Sequence, residues 1–136
     1  MASAIGKWKI EHSVNFEEYM KAIGVSDEKR LDAHKFLSDG SNMTQEISDN
    51  GGSWSIKTTT AAGEKTITFK LGEELDTMTL DGRNIKVLFS ADGDKLVENQ
   101  TGNGFQCKHV RHGDGNTLTM ILTGGGQTCI RTYVKC

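Results

Sequence analysis

Two short segments hold the side chains best suited to chemistry. In "CIRTYVKC", at the C-terminal end, Arg131 and Tyr133 stand two residues apart; in "FQCKHVRH", Cys107, His109 and Arg111 follow the same spacing. On an extended chain, residues two apart share a face, so Arg131 joins Tyr133 and Arg111 joins His109. A guanidinium matches a carboxylate in planar, two-pronged geometry, and a phenol adds a third hydrogen bond. If both faces look into the protein, a protein carboxylate, water or a ligand must balance the two arginines. An uncompensated buried charge costs several kcal/mol or so. The opposite face of the last segment carries Ile130, Thr132 and Val134. By residue type alone that oily face is the inward one and Arg131 looks to solvent.

Other chemistries find little support. His109 and His112 are three apart on a strand and point to opposite faces, so they make no metal pair. No metal-ligand spacing or phosphate-cradling glycine loop occurs, and "TGGGQT" reads as a hairpin turn. Cys107 with His109 is the nearest approach to a nucleophile and base, but no third orienting group is visible. No catalytic residue, metal or cofactor is therefore expected. Cys107 and Cys129 read as small apolar side chains, Cys136 as an exposed thiol, and His12 and His34 as surface residues. Formal net charge is −2, which argues against a nucleic-acid partner. No apolar run is long enough to span a membrane. "MASAIGKWKI" lacks the pattern of a signal peptide, so a cytoplasmic location with reduced cysteines is expected.

The elements that must position these groups are mostly strands. Trp8 and Ile10 alternate with Lys7, Lys9 and Glu11. Two short helices are expected over residues 16–37. The first is capped by Asn15 with Glu18 in a capping box and stopped at Gly24. The second is capped by Ser26, with Leu31, Phe36 and Leu37 as its apolar stripe. From residue 43 onward, alternating runs such as "KTITFKLG", "NIKVLFS", "KLVENQ" and "TLTMILT" are broken by "DNGG", "ADGD", "TGNG" and "GDGN". Sixteen glycines and no proline suit such a hairpin-rich antiparallel sheet. About ten strands result, and a meander of that length hides its edges best by closing into a barrel wide enough for a lumen.

In this order and spacing, "GKWKIEHSVNFEEYMKAIGV", "FKLGEELDTMTLDGR", "KLVENQ", "VRHGDG" and "CIRTYVK" resemble the intracellular lipid-binding proteins, the fatty-acid-binding protein group, over nearly the whole chain. The resemblance implies an all-β fold: a ten-stranded antiparallel up-and-down barrel, or clam, with a helix-turn-helix lid after the first strand. Residues 1–136 would form one lipid-binding domain. It also implies a carboxylate held by Arg111, Arg131 and Tyr133, which turns Arg131 inward. The implied cavity lining is Phe16, Met20, Ala33, Thr58, Asp81, Arg83, His109, Met120 and Leu122. Three departures stand out. Ala62 replaces a portal aromatic, His109 replaces an apolar residue, and "LSDGSNM" carries about five extra residues.

The expected function is non-enzymatic carriage of long-chain fatty acids by a monomer, in the cytoplasm and with access to the nucleus. Retinoic acid is the alternative ligand within the same fold; a secreted lipocalin or an enzyme are the alternatives of other kinds. Lys21, Lys29 and Lys35 of the helices form a solvated face, and transient contact with anionic membranes through that lid is a further expectation.

Overall fold

Ten strands form one continuous antiparallel sheet in the computed structural model, which describes residues 2–79 and 82–136. They are β1 (Gly6–Val14), β2 (Thr44–Asp49), β3 (Trp54–Thr60), β4 (Gly63–Phe69), β5 (Glu74–Met78), β6 (Asn84–Asp92), β7 (Lys95–Gly102), β8 (Phe105–Asp114), β9 (Thr117–Gly124) and β10 (Gln127–Lys135). Neighbours follow the order β4-β3-β2-β1-β10-β9-β8-β7-β6-β5. Every hairpin pairs with the next, and β1 zips to β10, so the sheet curls into a barrel left unpaired only between β4 and β5. Side chains bridge that seam. The Lys65 ammonium donates to the Met78 carbonyl, and Phe69 of β4 stacks on Phe89 of β6 with ring centres 3.6 Å apart.

The period-two pattern sets which residues fill the interior. Trp8 and Ile10 are buried while Lys7, Lys9 and Glu11 are exposed, and Ile85, Val87 and Phe89 are the buried set of β6. The solid core lies at the end away from the helices, around Trp8, Phe89, Leu96 and Leu118, none of which is exposed to solvent. A 3₁₀ turn, Ala2–Ala4, seals that end, and the Trp8 indole donates to the Ala4 carbonyl at 2.9 Å. The turn lies so close to β8 that a Cβ on Gly113 would sit 1.8 Å from the Ser3 carbonyl oxygen.

At the other end, α1 (Phe16–Ala22) and α2 (Asp27–Phe36) interrupt the meander after β1. α1 packs over β9 and β10. Gly125, in the turn between those strands, has φ +56, and a Cβ there would meet the Ala22 carbonyl at 2.6 Å. Ser26 caps α2 as expected, accepting from the Lys29 N–H at 3.3 Å.

Two expectations for the helices fail. Asn15 is left-handed, with φ 64, and makes no side-chain cap. Its amide donates instead to Gln127 Oε1 and the Thr128 carbonyl, stitching the lid to β10. Glu18 pairs with Lys21 at 3.6 Å rather than closing a capping box. Leu31 is 72% exposed and contributes nothing to an apolar stripe; Ala33 is the buried residue of α2. On β10, Cys129, Arg131 and Tyr133 face inward and Ile130 is exposed, the reverse of what residue type alone suggests.

Candidate functional site

Between lid and core lies a cavity of about 420 Å³. That is within the range of pockets that enclose small ligands. Phe16 and Met20 of α1, Ala33 of α2, Thr58 of β3, His109 and Arg111 of β8, Met120 and Leu122 of β9 and Arg131 and Tyr133 of β10 all line it. Arg83 lines it from the start of the β6 region, where its guanidinium donates to the Ile23 carbonyl at 2.7 Å and covers the Phe105 ring at 4.3 Å. Asp81 lies outside the described residues. Ala62 and Lys65 line the cavity beside the seam.

The two arginines have different partners. Arg111 is met by a carboxylate of the protein: Nη1 donates to Glu98 Oε1 at 2.7 Å, and Nε donates to Gln45 Oε1 at 3.3 Å. β2 and β8 are four places apart in the sheet, so the second bond crosses the lumen. Glu98 also accepts from the Gln100 amide and stands 3.7 Å from His109 Nδ1. His109 Nε2 reaches the Tyr19 hydroxyl of α1 at 3.1 Å. Burial opposes the Glu98 charge, but Arg111 and His109 outweigh it and hold the carboxyl well below the usual carboxylate range. Burial by itself would lower the His109 pKa; the Glu98 carboxylate outweighs it and raises the imidazole to about 9. A protonated ring carries a hydrogen on both nitrogens, so Nε2 donates and Tyr19 accepts, its own phenol kept neutral by burial, while Nδ1 faces Glu98 as an ion pair.

No carboxylate lies within ion-pair distance of Arg131 among the described residues. Arg131 is 3% exposed. Nε donates to the Tyr133 hydroxyl at 3.1 Å, and Nη2 donates to the Leu37 carbonyl at the end of α2. The Phe16 ring lies 4.4 Å from the guanidinium carbon. Nη1 is closed to solvent and has no hydrogen-bond partner among the described residues. Leaving a buried charge half satisfied is destabilising, by several kcal/mol or so for a lone ion. What sits here is a cation oriented by a phenol and an aromatic face, facing a largely apolar chamber.

Glu98, Gln45, Gln100 and Tyr19 are site residues that sequence reasoning missed. A signal for the first was present: in "KLVENQ", Leu96, Glu98 and Gln100 share a face, so a buried Leu96 commits Glu98 to the interior. Glu98 is also the third group that the Cys107–His109 pair lacked. The thiol, however, donates to Gln100 Oε1 at 3.3 Å.

The family model for lipocalins and cytosolic fatty-acid binding proteins matches residues 5–135. The sodium/calcium exchanger regulatory protein 1 of Doryteuthis pealeii is 38% identical over 134 residues, covering 98% of this chain and 97% of that one. A solved structure of the REP1-NXSQ fatty acid transporter superposes with a TM-score of 0.90 at 37% identity, covering 100% of this chain and 98% of that one. The Schistosoma mansoni fatty acid binding protein, solved with arachidonic acid, superposes with a TM-score of 0.92 at 32% identity over 100% of this chain and 98% of that one.

Proposed function

Because this chain belongs to the lipocalin and cytosolic fatty-acid binding protein family, we propose that it carries long-chain fatty acids, taking the carboxylate on Arg131 and Tyr133 and the tail into the cavity. The observation that carries this reading is the Arg131 guanidinium on the cavity wall, which has no carboxylate within ion-pair distance among the described residues and is only partly satisfied by Tyr133 and Leu37. Arg111 is already paired with Glu98 and lends the ligand carboxylate only its field. The relatives named above as a fatty acid transporter and a fatty acid binding protein support the same ligand class.

The energetics divide between tail and head. Each buried methylene contributes about 0.8 kcal/mol, so the tail supplies most of the affinity. The carboxylate adds charge-assisted hydrogen bonds to Arg131, about 1.5–3 kcal/mol in total, and these select the head group. The carrier acts as a non-catalytic monomer in the cytoplasm, and the lysines of α1 and α2 meet anionic membranes when ligand is exchanged.

Replacing Arg131 by Ala tests the head-group role. Oleate binding should weaken about 10- to 150-fold while oleyl alcohol binding changes little. Equal losses for both would refute it. Competition of oleate with retinoic acid on the unaltered protein decides between the two ligands of this fold; displacement of oleate by equimolar retinoic acid would favour the retinoid.

A further inference from the structure

One wall of the cavity is not built for an aliphatic tail. Gln45, Glu98, Gln100, His109 and Arg111 line it together, all but Gln100 closed off from bulk solvent to nine-tenths or thereabouts. A saturated chain laid against these groups would cover them and return no hydrogen bond.

The unused capacity of the cluster has one sign. Arg111 carries only donors, so the Gln45 amide must present its oxygen to Nε, which turns its nitrogen away. Neither Gln45 Nε2 nor Arg111 Nη2 has a partner among the described residues, and neither atom is sealed off, so both front the cavity. The Glu98 carboxylate already occupies the anion position of Arg111 at 2.7 Å and stands 3.7 Å from His109. A second acid group at this place would have to share Arg111 with Glu98, whereas an uncharged acceptor oxygen needs only the two unused donors.

We propose that Gln45 Nε2 and Arg111 Nη2 form a second recognition point that takes a neutral acceptor oxygen on the fatty chain, so that the preferred ligand is an oxygenated fatty acid bearing a hydroxyl, keto or epoxide group. The inference rests on the carboxylate lying at Arg131. Arg131, Met120 and Arg111 are directly paired across β10, β9 and β8. Two strand spacings separate the arginines, or about 10 Å. The oxygen therefore belongs in the middle of the chain rather than beside the carboxylate.

Calorimetric titration of the delipidated protein with octadecanoic acid and a positional series of its monohydroxy derivatives tests this. One mid-chain isomer should bind about 10-fold tighter than the parent acid, the value of one well-placed hydrogen bond. Its methyl ether, which accepts but cannot donate, should keep most of that preference. In Gln45→Leu, or in Gln45→Met should the first variant not fold, the ratio of the two affinities should fall to about one. A series in which no isomer exceeds the parent acid would overturn the proposal, as would a preference lost in the ether or kept in the Gln45 variants. Arg131→Ala separates the two readings: if it treats octadecanoic acid and octadecanol alike to the unaltered protein, the carboxylate assignment fails, whatever the hydroxyl series shows.

Discussion

Removing the Glu98 carboxylate isolates the electrostatic arrangement of the cavity. In Glu98→Ala, Arg111 keeps only its neutral bond to Gln45, and His109 loses the group that holds its proton. The imidazole can relieve itself by deprotonating, because burial already favours its neutral form. Arg111 cannot, since a guanidinium keeps its proton in any protein environment. The residual cost is therefore that of one buried, unpaired guanidinium, about 3–5 kcal/mol. For a chain of this size that lowers the thermal midpoint by about 10–20 °C. The paired replacement Glu98→Leu with Arg111→Met removes both charges and should recover most of the loss, since a buried ion pair and a packed apolar pair differ little in stability. Calorimetry and urea unfolding of the single and double variants read this directly. A single variant within about 1 kcal/mol of the parent would refute the reasoning, and so would a double variant no more stable than the single.

Three further outcomes follow from the same contacts. His109 has its pKa raised from 6.5 to about 9 in the folded protein. Its contribution to stability is thus fully present below about 6.5 and lost as pH rises through about 9. Urea midpoints of His109→Gln should accordingly lack the decline that the parent shows across that interval. Gly113→Ala should lower stability by about 1–3 kcal/mol, because its Cβ would collide with the Ser3 carbonyl and displace the turn that seals the closed end; tryptophan emission in denaturant titrations follows it. Thiol labelling of the native protein should modify Cys136 alone, with Cys107 and Cys129 reacting only after unfolding; burial pushes the Cys129 thiol up to about 11.

The strands were legible because period-two alternation and glycine turns are local signals. β1 and β6 show the burial alternation that their residues announce. The inward turn of Arg131 was not legible from residue type. In a solid core the oily face of β10 would turn inward, whereas a barrel with a lumen can leave Ile130 outside at 42% exposure and place a guanidinium within. Only the resemblance supplied that orientation. The Glu98–Arg111 pair was hidden for another reason. Thirteen residues separate the partners, and register across β7 and β8, not sequence spacing, brings them together. Asn15 shows the limit of a short motif: its residue type suits a cap, but the packing of α1 on β10 gives its amide better partners.

The pairing of β1 with β10 has a bearing on how the molecule is made. β1 finds one of its two neighbours only when β10, more than a hundred residues further along, has emerged from the ribosome. Until then the early hairpins and both helices must wait as an unsealed sheet, with Trp8 and the future ligand chamber open to water. Such a high separation of partners along the chain predicts slow, late and all-at-once folding, and a dependence on the nine residues of β10 out of proportion to their number.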